Sequence, residues 1–535
     1  MALLEIDDLK LSIGGAEILK GVSLTLEAGE ILGLVGESGS GKSMTSMSIL
    51  RLLPPEATAS GAIRLGGEDL LACSEARMRA LRGADIGVVF QEPMTALNPL
   101  MTIGDQVAEA VRLHRGASRA EALAAAARAL DRAGLPNARF PLSRYPHELS
   151  GGQRQRVAIA IATALKPRLL IADEPTTALD VTTQAQILEL LKSLAREDGA
   201  GLILITHDLA VVAETADKVA ILQAGEVVEA GPTLPLFRNL THPYARRLAE
   251  DAVLAKAPPA APTLAAAEVL RVEGLVRTYP GPRPAPWRAP TAFKAVDQVS
   301  LSVRAGETVG LVGESGSGKS TLLRAVLALD PLQGGAVTLD GRAFPPKRKD
   351  EARRARRDVQ AVFQDPYGSF DPRWRVADLI AEPFHLMERP PSAAERAARI
   401  AAMLERVGLS ADAAGRYPHQ FSGGQRQRIA IARALITEPK LVVLDEAVSA
   451  LDVTVRAQIL ALLAELSREL GVAYLFVTHD LSVVRAVCHR VLVMQSGRIV
   501  EEGETARVFD APQHPYTQSL IAATPDLERA LASRG

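Results

Sequence analysis

Short uninterrupted apolar runs, each followed by polar residues, mark the first half of the chain. The runs at 31–35, 169–172 and 202–205 lead into a glycine-rich segment, an Asp-Glu pair and a Thr-His-Asp triplet, respectively. Apolar runs this short are typical of central strands in a parallel sheet, because both faces of such a sheet are covered. The carboxyl ends of parallel strands meet along one edge, so we expect these polar residues to gather there.

The second half of the chain repeats the first. His207 recurs as His479, and the motifs around it recur at the same offset over a long stretch without a gap. A repeat this long indicates two duplicated domains, since solenoid repeats span only about 20–50 residues. We therefore predict a first domain at 1–250, a linker rich in proline and alanine at 251–268, and a second domain at 269–535.

Composition excludes several classes of protein. The 535 residues carry a net charge of −1, so no overall field favours nucleic acid or an anionic membrane. The basic run at 347–357 is a local exception, which we interpret as a solvated helical face. The two cysteines, Cys73 and Cys488, are too few for a disulfide framework or a four-cysteine metal site, and they fit a reducing compartment.

Targeting signals and membrane spans are not expected. The first ten residues lack the basic start and long apolar core of a signal peptide, and no stretch of about 18 apolar residues occurs. A proline-rich insertion at 280–290 cannot form a central strand, so we predict a surface loop. Its Trp287 is either a packing anchor or a contact for a partner.

Two glycine-rich loops satisfy the pattern G-x-x-x-x-G-K-S, each between a predicted strand and a predicted helix. Glycines let consecutive backbone N–H groups surround phosphates, and the helix N-terminus adds a favourable dipole. We expect the lysine to reach the β- and γ-phosphates of ATP and the following serine to bind Mg²⁺. The candidate residues are Gly36, Ser38, Gly39, Gly41, Lys42 and Ser43, with Gly313, Ser315, Gly316, Gly318, Lys319, Ser320 and Thr321 in the second half.

The Asp-Glu pairs at the strand ends supply the second part of each nucleotide site. Asp173 and Asp445 are candidates for the Mg²⁺ shell, and Glu174 and Glu446 can polarise the attacking water. His207 and His479 stand at the end of the next apolar run at the same spacing from each glutamate, so we interpret them as sensors of the γ-phosphate.

Two further motifs, LSGGQRQR at 149–156 and FSGGQRQR at 421–428, resemble the signature motif of ABC transporter ATPases. The resemblance implies an α/β fold of two tandem P-loop ABC nucleotide-binding domains, each a RecA-like core with a mixed sheet plus a helical subdomain. The helical subdomains would hold roughly 94–152 and 367–424.

The same resemblance implies that the two domains close head-to-tail around two MgATP molecules. One composite site would pair Lys42 with Ser422, Gly423 and Gly424, and the other would pair Lys319 with Ser150, Gly151 and Gly152. The D-loops would lie at 178–180 and 450–452. The Q-loop glutamines, Gln91 and Gln364, are candidate ligands of both nucleotide and Mg²⁺.

Finer features resemble the peptide/nickel branch of bacterial import ATPases, namely the segments at 91–99 and 364–372 and the two His-Pro-Tyr segments. The fused form is most similar to the Yej-type peptide importer ATPase. This implies ATP hydrolysis coupled to the import of oligopeptides or related compounds, without nucleic acid. The implied partners are two transmembrane permease subunits and, indirectly, a substrate-binding protein, with the chain peripheral at the cytoplasmic face of the bacterial inner membrane.

The sequence departs from this family pattern in three places. No cysteine cluster follows the His-Pro-Tyr segments, so we predict no iron–sulfur cluster. Ile13 stands where the family usually places an aromatic residue against adenine, whereas the second half has Tyr279. In the first half Pro175 follows Glu174, whereas no proline follows Glu446 in the second half.

Two alternative functions remain. A soluble tandem ABC ATPase that remodels a ribosome or nucleic-acid complex would show the same order of motifs, but with a long charged helical linker instead of the proline-rich one. A sugar-import tandem ATPase typically has one degraded site, whereas here both sites keep lysine, glutamate and histidine.

Overall fold

The computed structural model describes residues 2–91, 96–177, 179–253, 266–281, 292–346, 348–449 and 451–534. In this part of the chain, both halves have an α/β architecture of two sheets with helices, which confirms the predicted fold class. None of the helices within these ranges has the length and apolar character needed to cross a bilayer.

The central sheet of the first half has the order β10-β9-β3-β8-β7-β6, with β10 alone antiparallel to its neighbour. Every residue of β3, β7 and β8 is buried, which explains the continuous apolar runs that predicted these strands. The strands of this half are β1 (Leu4–Ile13), β2 (Ala16–Leu26), β3 (Ile31–Val35), β4 (Ala57–Leu65), β5 (Glu68–Asp69), β6 (Ile86–Val89), β7 (Leu169–Asp173), β8 (Gly201–Thr206), β9 (Lys218–Gln223) and β10 (Glu226–Pro232).

The helices of the first half are α1 (Lys42–Leu50), α2 (Glu75–Leu81), α3 (Ile103–Arg115), α4 (Arg119–Arg132), α5 (Gly151–Thr163), α6 (Val181–Asp198), α7 (Leu209–Thr215), α8 (Thr233–Arg238) and α9 (Pro243–Ala252). Val107 of α3, Ala126 of α4 and Val157 of α5 share one apolar core, separate from that of the central sheet. This core forms the helical subdomain.

The second half repeats the arrangement, with the central order β16-β17-β18-β13-β19-β20. Its strands are β11 (Glu268–Pro280), β12 (Ala292–Arg304), β13 (Thr308–Val312), β14 (Gly334–Leu339), β15 (Arg342–Ala343), β16 (Val359–Val362), β17 (Leu441–Asp445), β18 (Ala473–Val477), β19 (Arg490–Gln495) and β20 (Arg498–Glu504). Its helices are α10 (Lys319–Val326), α11 (Lys349–Asp358), α12 (Val376–Ala381), α13 (Ala393–Arg406), α14 (Gly423–Leu435), α15 (Val453–Leu470), α16 (Leu481–Val487), α17 (Thr505–Asp510), α18 (Pro515–Ala523) and α19 (Leu527–Ser533).

Each half also has a four-stranded antiparallel sheet that the sequence did not predict, with the orders β2-β1-β4-β5 and β12-β11-β14-β15. Bulges hide the alternation of buried and exposed residues on which such a prediction depends. In β1 the register shifts between Ile6 and Leu9, where Asp8 adopts a positive φ of 45°.

The two halves contact each other directly. Leu527 and Ala530 of α19 belong to an apolar cluster of the first half, and Val181 of α6 belongs to one of the second half. The Arg534 guanidinium donates to the backbone oxygens of Glu214 and Ala216, at 2.7 Å each.

The predicted linker is only partly described. Helix α9 continues to Ala252 and β11 begins at Glu268, so both edges of the linker carry regular structure. The rest of it, most of the proline-rich loop with Trp287, and the D-loop residues Ala178 and Ala450 lie outside the described residues. The domain boundaries remain predictions.

Candidate nucleotide sites

Each glycine-rich loop joins a buried strand to a helix, β3 to α1 and β13 to α10. Gly41 and Gly318 precede these helices with φ of 105° and 109°, a conformation that glycine adopts readily. A Cβ at Gly41 would lie 2.6 Å from Leu19 Cδ2, and one at Gly318 would collide with the Ala295 carbonyl. The backbone conformation favours glycine at both positions, and at Gly318 the backbone carbonyl also leaves no space for a side chain.

The rest of each loop is arranged alike in the two halves. Ser38 and Gly39 of the first loop are exposed, as are Ser315 and Gly316 of the second. Gly36 and Gly313 are buried against backbone carbonyls. Thr321 lies in the first turn of α10.

Both loop lysines are buried and fold back onto their own loops. Lys42 Nζ donates to Gly36 O at 2.7 Å and to Glu37 O at 2.8 Å, and Lys319 Nζ makes the equivalent bonds at 2.6 and 3.0 Å. Burial lowers the pKa of both lysines, although nearby carboxylates, Glu174 and Glu446 first among them, act in the opposite direction. A partly desolvated ammonium group at a glycine-rich loop fits a phosphate.

The strand-end aspartates lie beside the helix starts. Ser43 Oγ donates to Asp173 Oδ1 at 3.2 Å. Burial raises the pKa of Asp173, and it raises the pKa of Asp445 to about 6. Carboxylates whose negative charge is poorly compensated suit a hard cation, and Mg²⁺ uses one or two protein oxygens together with phosphates and water. The residues present therefore fit Mg²⁺.

The glutamates after these aspartates connect the other predicted groups. Gln91 Nε2 donates to Glu174 Oε2 at 2.8 Å, and His207 Nδ1 lies 3.3 Å from Glu174 Oε1. Thr177 Oγ1 also donates to Oε2, at 3.0 Å. In the second half, Gln364 donates to Glu446 Oε2 at 2.7 Å and His479 Nδ1 lies 3.2 Å from Oε1. The structure thus brings the Q-loop glutamine, the glutamate and the histidine together in each half.

These glutamates are held ionised and in a strained conformation. Burial by itself would raise the pKa of each, but hydrogen bonding and charge from the histidine, His207 or His479, lower it overall. Their φ values, 45° for Glu174 and 48° for Glu446, are uncommon for residues other than glycine. Such a conformation costs free energy and persists where the surrounding contacts hold the residue in place.

The D-loop aspartates reach across to the opposite half. Asp180 Oδ2 accepts a hydrogen bond from the Ser315 backbone N–H at 3.3 Å, in the second phosphate loop. Asp452 lies close enough to Lys42 for its charge to act on the ammonium group. Each phosphate loop is therefore adjacent to the D-loop of the other half.

The tyrosines of the His-Pro-Tyr segments also belong to the sites. Tyr244 Oη accepts from the Glu37 N–H at 3.0 Å, and Tyr516 Oη accepts from the Glu314 N–H at 2.8 Å. Burial raises the pKa of each tyrosine to about 12, so both stay neutral. At the level of sequence these segments indicated only the family. Their exact repetition in the two halves is the signal that could have predicted a role at the glycine-rich loops.

The signature serines lie where the sequence places them, each at the start of a helix. Ser150 Oγ accepts from the Gln153 N–H at 3.4 Å, and Ser422 Oγ accepts from the Gln425 N–H at 3.4 Å. Both serines are exposed. Their pairing with the opposite phosphate loop remains a prediction.

The predicted adenine contacts differ between the halves. Ile13 ends β1 and is half-buried against the core, whereas Tyr279 lies near the end of β11. The Tyr279 hydroxyl donates to Asp330 Oδ2 at 3.2 Å, and the Arg277 guanidinium lies 4.4 Å from its ring centroid. One face of the ring is thus occupied by a cation.

Comparison with known proteins agrees with this geometry. The ABC transporter family model matches residues 19–177 and 296–449, one match in each half. The chain belongs to the ABC transporter family. A second model, for the C-terminal region of oligopeptide/dipeptide transporters, matches residues 500–534.

Curated relatives match nearly the whole chain. The glutathione import ATP-binding protein GsiA of Escherichia coli is 48% identical over 95% of this chain and 87% of its own length. The protein of the same name from Salmonella typhimurium is 47% identical over 95% and 86%, respectively. A solved cassette of an ABC transporter complex from Clostridium perfringens is 27% identical, covers 46% of this chain and 91% of its own, and gives a TM-score of 0.40.

These matches confirm the ATPase activity, the binding of ATP, the tandem cassettes and the resemblance to peptide importers. They support the transporter interpretation over the soluble alternative on ribosomes or nucleic acid. Both GsiA proteins bear the name of glutathione importers, so the finer similarity to the Yej type remains a hypothesis.

Proposed function

We propose that this chain hydrolyses MgATP at two sites to drive the import of glutathione or a related short peptide. The observation that carries the proposal is that lysine, aspartate, glutamate, glutamine and histidine are gathered in both halves, in a chain similar to glutathione import ATPases. Neither half shows the loss of a catalytic side chain that a degraded site would have.

In the proposed reaction, each glutamate orients the water that attacks the γ-phosphate. Glu174 suits this role because its pKa is low and three side chains fix its carboxylate. Lys42 would exchange its loop carbonyls for phosphate oxygens, and His207 would contact the γ-phosphate. The second half would use Glu446, Lys319 and His479 in the same way.

Mg²⁺ would be held by the serine and aspartate of each half, with the Q-loop glutamine as a further candidate ligand. When bound, it would neutralise charge that develops on the phosphates. In the described residues the amide nitrogen of Gln91 is directed to Glu174, and its role toward the metal stays a prediction. The ligands would be Ser43, Asp173 and Gln91, and Ser320, Asp445 and Gln364.

Two composite sites would form when the halves close head-to-tail. The position of Asp180 against the Ser315 N–H supports this, because it joins a D-loop to the phosphate loop of the other half. In the closed state the signature residues 422–424 would complete the Lys42 site and residues 150–152 the Lys319 site. The exposure of both signature serines leaves them accessible for that contact.

Permease subunits would bind near the helical subdomains, at the cytoplasmic face of the bacterial inner membrane. Large apolar side chains are exposed after the Q-loop positions in both halves, including Leu100, at 86% exposure, and Tyr367 and Trp374 in the second half. Contiguous exposed apolar patches mark surfaces that bind other proteins, and these side chains are the proposed members of such a patch. A substrate-binding protein would take part indirectly, by delivering the substrate to the permeases.

The proposal is tested by measuring the uptake of labelled glutathione and of labelled tripeptides into cells. The cells' own gene for this protein is replaced either by the wild-type gene or by one that encodes the Glu174→Gln/Glu446→Gln double variant. We expect the double variant to abolish uptake of at least one of these substrates while still co-purifying with membrane permeases. Undiminished uptake of both, or co-purification with ribosomes in place of permeases, would contradict it.

A further inference from the structure

One arginine bridges two functional loops in the second half. Arg456 lies in the first turn of α15, directly after the D-loop, and its side chain is 15% exposed. Its Nη1 donates to Asp480 Oδ2 at 2.8 Å, and its Nη2 donates to Leu451 O at 3.3 Å. A single guanidinium therefore joins the D-loop to the loop that carries His479.

The two ends of this bridge belong to different nucleotide sites. Leu451 precedes Asp452, whose charge acts on Lys42 of the first half. Asp480 follows His479, which contacts Glu446. Asp480 also fixes the start of α16, because its Oδ1 accepts from the Ser482 N–H at 2.9 Å.

The first half has the same frame without the bridge. Gln184 occupies the position equivalent to Arg456, and Asp208 begins α7 by accepting from the Ala210 N–H at 2.8 Å. Among the residues that the structure describes, no hydrogen bond joins Gln184 to Asp208. Gln184 and Arg456 both line one crevice between the halves, together with His207 and His479.

We propose that Arg456 positions His479. Through this contact Arg456 links the Lys42 site to hydrolysis by Glu446. The planar guanidinium makes charge-assisted bonds in a fixed direction, so movement of the D-loop is passed to the histidine loop. Gln184 makes no such link, and hydrolysis by Glu174 depends less on the opposite site. Kinetic coupling between two sites need not be symmetric. The inference rests on the roles proposed above for the glutamates and histidines.

The test isolates each site in the full chain. Glu174→Gln leaves Glu446 as the working catalyst, and Glu446→Gln leaves Glu174. In the first background, Arg456→Gln should lower kcat about 5- to 20-fold with the KM for ATP changed less than about twofold. In the second background, Arg456→Gln and the matched control Gln184→Ala should each change kcat less than about twofold.

Two further measurements separate positioning from a structural role. Arg456→Lys keeps the charge but cannot make both contacts, so it should recover part of the lost kcat. Amide hydrogen exchange in the nucleotide-free protein should rise at 479–483 in Arg456→Gln and stay unchanged at 207–211. Equal loss of kcat in both backgrounds, or unchanged kcat in the first, would overturn the inference.

The outcome also distinguishes this inference from the proposed catalytic roles. If Glu174→Gln and Glu446→Gln leave turnover intact, the roles of the glutamates are wrong. Unchanged exchange at 479–483 overturns the positioning role of Arg456 whatever the glutamates do.

Discussion

In the first nucleotide site Thr177 donates a hydrogen bond to the Glu174 carboxylate at 3.0 Å, whereas in the second the equivalent Ser449 donates to the Glu446 backbone carbonyl at 2.9 Å. The aspartates differ in the same way. Ser43 Oγ donates to Asp173 at 3.2 Å, which opposes the rise in the pKa of Asp173 that burial causes, whereas burial raises the pKa of Asp445 to about 6. The two sites thus share the residues that we propose to react, and they differ in the residues that support them. The duplicated halves therefore keep the same set of proposed catalytic residues and hold them by different contacts.

The comparison is tested most strongly at the two glutamates. Glu174→Gln and Glu446→Gln should each lower turnover at their own site on the order of 10²–10⁴-fold while preserving ATP binding, because the phosphate loops stay whole. Single-turnover hydrolysis and equilibrium ATP binding measure the two effects. Loss of ATP binding in either variant would contradict the role assigned to the carboxylate.

The two aspartates should differ in their effect on stability. The pKa of Asp445 is raised from 3.8 to about 6, so the folded chain holds that proton more tightly than the unfolded chain does. The ionised group therefore destabilises the fold increasingly as the pH rises from about 4 to above 6. Asp445→Asn should raise the free energy of unfolding of the nucleotide-free protein by about 1–3 kcal/mol at pH 7.5, and the gain should disappear near pH 4.

Thermal melting across this pH range checks the prediction, with Asp173→Asn as the matched control. Its gain should be smaller, because the Ser43 hydrogen bond opposes the effect of burial on the pKa of Asp173. A lower melting temperature for Asp445→Asn at pH 7.5 would show that its charge is compensated in the nucleotide-free fold.

The adenine contacts should give the two sites different affinities. Stacking of a base on an aromatic ring is worth about 1–3 kcal/mol, and we expect the lower end, about fivefold in ATP affinity, because isoleucine keeps apolar contact. Lys42→Ala should therefore retain the tighter site and Lys319→Ala the weaker one, as measured by ATP titration. Equal affinities, or a tighter Lys42 site, would show that Ile13 and Tyr279 do not determine the relative ATP affinities of the two sites.

The smallest expected effect lies at the supporting hydroxyls. Thr177→Val removes one hydrogen bond from Glu174 and should lower kcat at that site about 2- to 5-fold, in line with a net value of about 0.5–1 kcal/mol. Ser449→Ala should leave kcat at the Glu446 site nearly unchanged, because Ser449 contacts only the backbone of that residue among the described contacts. Similar losses in both variants would remove this difference between the sites.

The sequence predicted the central strands and the phosphate loops because these depend on local patterns. Ile31–Val35 and Leu169–Asp173 are apolar on both faces, and glycine spacing alone identifies the loop before Lys42. The antiparallel sheets were missed because bulges such as the one near Asp8 interrupt their alternation.

Contacts between distant parts of the chain could not be predicted in this way. Tyr244 reaches Glu37 and Asp180 reaches Ser315 only after the chain has folded, and neither side chain has a local pattern that specifies its partner. The bridge made by Arg456 could not be predicted either. The repeat shows that arginine stands where the first half has Gln184, but it does not show that Asp480 is the partner of Arg456. Local patterns predict candidate reacting groups, whereas their supporting contacts require the tertiary structure.

The contact of the final helix with the first half has a consequence for how the cassettes meet. The linker joins the halves covalently. They are also held together by non-covalent contacts, because α19 packs on the first half and Arg534 donates to backbone oxygens at the end of α7. Joining two partners in one chain turns their encounter into an intramolecular event, with an effective concentration set by the length and stiffness of the linker. The proposed closure around nucleotide would then be an intramolecular event, whose rate is independent of protein concentration, and each half would keep its partner when the nucleotide leaves.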